Sequence, residues 1–408
     1  MDNPQQIRPP QDRAPQDRTE GTAGAPDGPA RQEAPAAPRG RWGHLLVCWL
    51  IEFAIGTDLF VISPLLPRIA ESYEMRAADL GAVVTAFSVA YIVGAPLIGS
   101  VADRVDRRLV LVGGLLLFTV ANLATAFAPN YPVLLLTRVL AGLASGAANP
   151  AVYAATAVMA PDAKRGRWLA VVSSGLLSSL ALGASIGSAL GRGVGWRPVF
   201  VGIAVLTLLL GAAAWAVMPA MPGQAGERSR LPLGAALRAV SVTAVWALAV
   251  YLLYTFLGVA LDARGQGGST PWVLVVYGVG AVAGGLLGGQ LTDRWGAGRT
   301  LTTVLLCMAA MELAVCGLFH TGNVMLLAAG LAVFAVCTYA MFAPQQGRVV
   351  SLFPRNATAV LAWNNSALFV GAGLAGAVGG PLLNALSYGW LLVFGAVLAA
   401  GAAALSRA

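Results

Sequence analysis

Apolar side chains do not alternate with polar ones along this chain; they come in twelve long blocks, each bounded by Pro, Gly and charge. The blocks cover roughly residues 43–66, 79–101, 108–128, 132–159, 167–191, 195–218, 238–261, 271–292, 299–320, 323–346, 356–384 and 386–406. A stretch of about 20 apolar residues crosses the hydrocarbon core as a helix. In lipid, only helices and closed barrels satisfy every backbone group, and these blocks are far too long for barrel strands. The pattern therefore predicts an all-α membrane protein with twelve transmembrane helices. Residues 1–41, rich in Pro, Ala, Gln, Asp and Arg, carry too few large apolar side chains to offset the entropy of folding, and are expected to be a disordered tail. The tail does not read as a signal peptide, because the first apolar block begins only near His44, contains Glu52 and has no small-residue cleavage site behind it. The only long charged connection between blocks is 219–237, which divides residues 42–218 from 238–408, six blocks from six.

The division coincides with an internal repeat. The charged stretch Gly99-Ser100-Val101-Ala102-Asp103-Arg104-Val105-Asp106-Arg107-Arg108 returns 190 positions later as Gly289-Gln290-Leu291-Thr292-Asp293-Arg294-Trp295-Gly296-Ala297-Gly298. A second echo pairs Gly195-Trp196-Arg197-Pro198-Val199-Phe200 with Gly389-Trp390-Leu391-Leu392-Val393-Phe394. Two pseudo-symmetric six-helix halves follow from this.

Composition agrees: 57% hydrophobic and 11% charged residues, with a mean hydropathy of +0.73, leave more apolar surface than a soluble core can hide. The net charge of +8 does not point to nucleic acid, since the arginines are scattered over short loops and the tail. They report orientation instead. Of the 26 basic residues, 20 fall on one side, only Arg68, Arg76, Arg192, Arg197 and Arg264 on the other, and Arg138 within a span. Both termini are then cytoplasmic, in a multi-pass protein of the cell membrane. Cys48, Cys307, Cys316 and Cys337 all fall in apolar blocks and read as small packing residues rather than disulfide partners. No metal-ligand spacing and no nucleotide-binding loop is present, so neither a metal nor a cofactor is expected, and no His, Cys or paired-acid constellation suggests an enzyme.

The two copies of the charged stretch resemble the loop motif G-x-L-a-D-r-x-G-r-k of major facilitator superfamily transporters. The first copy carries Val101 for the leucine and Asp106 for the second glycine; the second keeps Leu291 and Gly296. The resemblance covers about residues 43–406. It implies substrate binding near the midplane between the halves, with alternating access. It also implies a switch: Asp103, with Arg104, Arg107 and Arg108, facing the start of the eleventh helix near Asn356-Ala357-Thr358 and holding the outward-open state. Pseudo-symmetry suggests the same for Asp293 and Arg294, facing the start of the fifth helix near Arg167-Trp168.

Ionisable groups inside spans are costly and usually functional. The first block holds two acids, Glu52 and Asp58, separated by about 120° on a helix. The fourth holds Arg138, which cannot deprotonate and needs a carboxylate or carbonyl partner; Glu52 and Asp58 are both candidates. Desolvation favours a carboxylate's neutral form and a nearby guanidinium its charged form, so a site beside Arg138 can be poised to load and unload a proton. Gly56 to Pro67 resembles the first helix of drug and sugar-analogue efflux members, which favours Asp58 as the coupling acid with Glu52 the alternative. Thr137-Arg138-Val139-Leu140-Ala141-Gly142 is similar to the R-x-x-q-G pattern of proton-coupled exporters, with Ala141 for the glutamine. Gly183, Gly187 and Gly191 form a smooth stripe for close helix packing, similar to the antiporter motif of the fifth helix, with Ser185 at its proline.

Candidate cavity residues are Phe60, Tyr91, Asn149, Tyr153, Tyr254, Trp363, Asn364 and Asn365, a few polar groups on aromatic walls of the kind that suits an amphipathic organic ligand. Glu312, in the ninth block, has no assigned role. The expected function is proton-driven export of a small organic compound, such as a drug, antibiotic or secondary metabolite, by a monomer embedded in the lipid bilayer. A sugar or nutrient carrier of the same fold is the alternative, and a non-transporting membrane scaffold or sensor the alternative from another class.

Overall fold

The computed structural model describes residues 42–102, 105–161, 164–222 and 232–407. The tail 1–41, the pair Asp103 and Arg104, and residues 223–231 of the charged connection lie outside the described residues, and with them the expectations of a disordered tail and of an Asp103 contact. Among the described residues, twelve helices are long and apolar enough to cross a membrane. They are α1 (Trp42–Tyr73), α2 (Gly81–Ala102, entered through a 3₁₀ turn at Ala77–Leu80), α3 (Arg107–Ala126), α4 (Tyr131–Met159), α5 (Arg165–Gly193) and α6 (Trp196–Val217). The second six are α7 (Leu233–Ala263), α8 (Thr270–Trp295), α9 (Ala297–His320), α10 (Val324–Leu352), α11 (Ala357–Ala385) and α12 (Tyr388–Leu405). No strand occurs among the described residues.

Two boundaries differ most from the hydropathy pattern. The first helix runs to Tyr73 rather than 66, straight through Pro64 and Pro67. Proline lacks an N–H, so Pro64 leaves the carbonyl of Phe60, four residues back, without its helical donor; the Tyr254 hydroxyl of α7 donates to that carbonyl at 3.1 Å. A neighbouring helix thus supplies the partner that the proline removes, and α1 continues. The tenth helix reaches Leu352 instead of 346, broken by a turn at Ala340 and Met341.

The two copies of the charged corner are built differently. Asp106 caps α3: its Oδ1 accepts from the backbone N–H of Arg108 at 2.8 Å and also from that of Met221 at 3.0 Å, while Arg107 N–H donates to Met221 O at 3.0 Å. Gly296, the equivalent position before α9, turns the corner with φ +79°, a conformation that costs glycine little.

Close approach sets the packing of α5. A methyl group at Gly183 would lie 2.1 Å from the Thr57 hydroxyl, and Gly187 and Gly191 meet Val61 and Leu65 in the same way, so the glycine stripe seats α5 on α1. One wide i→i+5 turn at Ser179–Gly183 interrupts α5, a feature frequent at functional sites. Beside it, a methyl at Gly278 of α8 would fall 2.1 Å from the Ala181 Cα, which brings the halves together backbone to backbone.

Among the described residues, the side-chain contacts between halves lie at the middle of the spans and toward the end opposite the described chain ends. Thr85 Oγ1 donates to Gly373 O at 2.8 Å, Asn384 Nδ2 to Asp79 Oδ1 at 2.6 Å, and Arg192 lies 3.7 Å from Asp262. That end is closed in this conformation.

Candidate functional site

The site is organised by α1 and α4, which run antiparallel. Arg138 and Asn149, eleven residues apart, fall within about 20° of each other on α4, and Tyr153 follows one turn later. This face meets both acids of α1. Arg138 takes Asp58: Nη1 donates to Oδ1 at 3.0 Å and Nη2 to Oδ2 at 2.6 Å, with side chains 1% and 0% exposed. Phe87 and Phe200 lie 5.0 and 5.7 Å from the guanidinium, so the pair is enclosed by aromatic rings rather than by water.

Glu52 is equally buried but differently held. The Asn149 amide donates to both its oxygens, at 3.2 and 3.1 Å, and the Tyr153 hydroxyl to Oε2 at 3.4 Å. Among the described residues no basic side chain pairs with it. The chain of polar groups then crosses to the other half. Tyr91 OH donates to Asn149 Oδ1 at 3.2 Å, and Asn365 Nδ2 of α11 donates to Tyr91 OH at 2.9 Å. Tyr91 stacks on Phe369 with ring centroids 3.6 Å apart.

Between the halves lies a small apolar cavity of about 30 Å³, walled by residues that include Phe60, Phe87, Asn149, Tyr153, Trp246, Tyr251, Tyr339, Phe342, Asn365 and Phe369. A space of that size holds a water or two; an organic molecule needs the walls to part.

Of the candidates read from sequence, Phe60, Asn149, Tyr153 and Asn365 line this cavity, and Tyr91 is tied to two of them. Three do not. Asn364 points away into the C-terminal half, accepting from Thr243 at 2.6 Å and from Gln345 at 3.1 Å, because adjacent residues on a helix project about 100° apart. Tyr254 is spent on the Phe60 carbonyl. Trp363 packs against the separate cluster around Val240, Val349 and Val360. Conversely, Trp246, Tyr339 and Phe342 were not singled out; their signal was an aromatic group on α7 and α10, where Trp246 meets Tyr339 and Phe342 edge-on at 5.9 and 5.2 Å.

The expected switch residues are also redistributed. Arg108 lies over the Trp215 ring at 4.1 Å and donates to its carbonyl, within its own half. Arg107 is docked through its backbone to Met221. Asp293 and Arg294 are exposed and form no ion pair among the described residues. The expected contact with the start of α5 is not made in this conformation, in which the described contacts between halves lie at mid-span and at the opposite end. Glu312, buried and with no hydrogen-bond partner among the described residues, presses against Gly395 of α12 and takes no part in the site.

Twelve membrane-spanning helices in two halves, with a polar chain crossing a central apolar cavity, define a membrane carrier. The Major Facilitator Superfamily model matches residues 48–265, and this chain belongs to that family. It is 31% identical over 367 residues to the inner membrane transport protein YdhP of Escherichia coli O157:H7, covering 87% of this chain and 92% of that one. It is 35% identical over 257 residues to a chloramphenicol resistance protein of Streptomyces lividans, covering 59% of this chain and 64% of that protein. The inward-open structure of the xylose transporter XylE from E. coli superposes with a TM-score of 0.73 at 17% identity, covering 90% and 95% of the two chains.

Proposed function

We propose that this transporter exports a small organic compound, a drug, antibiotic or secondary metabolite, by proton antiport with alternating access, and that Glu52 is the group that exchanges the proton. One observation carries the reading: Glu52 is wholly buried beside the cavity, yet its donors are an amide and a phenol rather than a cation. An uncompensated charge there costs several kcal/mol, on the order of that for any ion withdrawn from water without a partner. A proton, or a polar group of the substrate, removes that cost, and the two compete because Asn149 and Tyr153 serve both Glu52 and the cavity wall. Asp58, the acid favoured from sequence, is held by the Arg138 guanidinium rather than by groups of the cavity wall; it becomes the fixed pair that positions α1 against α4. Cavity walls of aromatic rings with two amides suit an amphipathic aromatic compound, and similarity to a chloramphenicol resistance protein supports export. The carrier acts as a monomer in the cell membrane with both termini in the cytoplasm, as the placement of its arginines supports.

The test is transport of labelled chloramphenicol, as first probe, by proteoliposomes of the full-length protein under an imposed pH gradient. Accumulation that collapses with a protonophore is expected. Intact counterflow of the compound with no accumulation in response to the gradient would overturn the antiport reading.

A further inference from the structure

A second site lies away from the central cavity. Where α8 ends, α9 begins and α12 ends, a surface cleft of about 710 Å³ is lined by Arg294, Trp295, Arg299 and Arg407, with Thr302 and Ser406 among the rest of its wall. The Thr302 and Ser406 hydroxyls lie 3.0 Å apart and join α9 to α12. None of the three arginines forms an ion pair among the described residues, and the neighbouring acid, Asp293, is exposed and unpaired as well. The 24-residue helix α9 opens at the cleft, so its first-turn N–H groups and the positive end of its dipole reinforce the three cations. The chemistry is that of a phosphate site.

Two features decide where the phosphate comes from. Trp295, 50% exposed, is the kind of side chain that settles at the membrane–water boundary. Below Arg299, the exposed positions of α9 continue at helical spacing through Thr303, Leu306, Ala310 and Leu313, an apolar stripe that descends from the cleft into the hydrocarbon region. A free anion has no use for that stripe; an acyl chain does. We propose that the cleft binds the phosphodiester headgroup of an anionic phospholipid from the leaflet on the side of the chain termini, with its acyl chains along α9.

The experiment is native mass spectrometry of the full-length protein with phosphatidylglycerol, phosphatidylcholine and inorganic phosphate as probes. The wild type is expected to retain phosphatidylglycerol in preference to phosphatidylcholine. Each arginine removed near such a lipid lowers affinity about fivefold, so the combined Arg294→Gln, Arg299→Gln, Arg407→Gln variant loses about 100-fold, while Arg238→Gln, an exposed arginine at the start of α7, leaves binding unchanged. Should the triple variant fail to fold, Arg407→Gln alone is expected to show the fivefold loss. Equal retention by wild type and variant, equal retention of the two lipids, or displacement of phosphatidylglycerol by excess inorganic phosphate would each overturn the assignment.

Discussion

Asp58→Asn and Glu52→Gln remove one charge each from the same helix and are expected to fail in different ways. Asp58 receives two guanidinium hydrogen bonds at 3.0 and 2.6 Å in a site where neither side chain is more than 1% exposed. Neutralising it strands the Arg138 cation, and breaking a buried pair by removing one partner costs about 3–5 kcal/mol. Glu52 loses no counter-ion when neutralised. Its change to Gln replaces one acceptor by a donor facing Asn149 and Tyr153, a mismatch of about 1–3 kcal/mol that Asn149 can relieve by turning its amide. Thermal unfolding in detergent should therefore show a large loss for Asp58→Asn and a small one for Glu52→Gln. Transport in proteoliposomes should show the reverse emphasis: Glu52→Gln still binds and exchanges substrate but no longer accumulates it in response to a pH gradient. If Asp58→Asn is as stable as the wild type, the ion pair is not what holds α1 to α4; if Glu52→Gln still concentrates substrate under the gradient, Glu52 does not carry the proton.

Three other outcomes can be checked separately. Tyr254→Phe deprives the Phe60 carbonyl of its donor, at a cost of about 1 kcal/mol to the closed arrangement; adding Pro64→Ala restores a helical N–H to that carbonyl, so the double variant should be closer to wild type in cysteine-accessibility assays of the closed end. Gly278→Ala places a methyl 2.1 Å from backbone of α5, and should shift the population toward conformations in which the halves are apart there, read by the distance between spin labels at Asp79 and Asn384. Asp106→Ala removes the cap of α3 and the anchor of Met221, about 0.5–2 kcal/mol, with Asp106→Asn retaining much of it in the same unfolding assay.

The twelve helices were legible because lipid imposes one requirement on every span, a long apolar block, whatever its neighbours do. Their ends were less so. Pro64 stops a helix in isolation, and nothing local announces that a tyrosine 190 positions away will take over the orphaned carbonyl. The site shows the same division. That Arg138 needs a carboxylate or carbonyl partner follows from its charge alone, but which group serves depends on how α4 is rotated and slid against α1. The relevant signal was Arg138 and Asn149 eleven residues apart on one face, against Glu52 and Asp58 six apart on the other helix, with the arginine's length making up the difference. Asn364 and Asn365 were inseparable in sequence, and only the helix rotation sends one into its own half and the other across to Tyr91. The role of Asp106 was hidden because it departs from the motif around it.

The contacts that close the carrier on one side have an energetic consequence. Thr85 to Gly373, Tyr254 to Phe60, Asn365 to Tyr91 and Asn384 to Asp79 are single hydrogen bonds from uncharged donors, joined by one ion pair at 3.7 Å whose members are 34% and 43% exposed. Each bond to a neutral acceptor is worth about 0.5–1.5 kcal/mol and the one to the Asp79 carboxylate about 1.5–3 kcal/mol, while an ion pair so exposed is worth about 0–1 kcal/mol. Water can replace most of them when the halves part, so the free-energy gap between the two facing states is set by a sum of small terms largely insensitive to ionic strength. A population of 1:99 is inverted by about 5.5 kcal/mol of differential affinity, a quantity within reach of one proton and one small molecule. A gate built instead from ion pairs would tie that gap to salt and to the protonation of its acids, because parting the halves returns both charges to water.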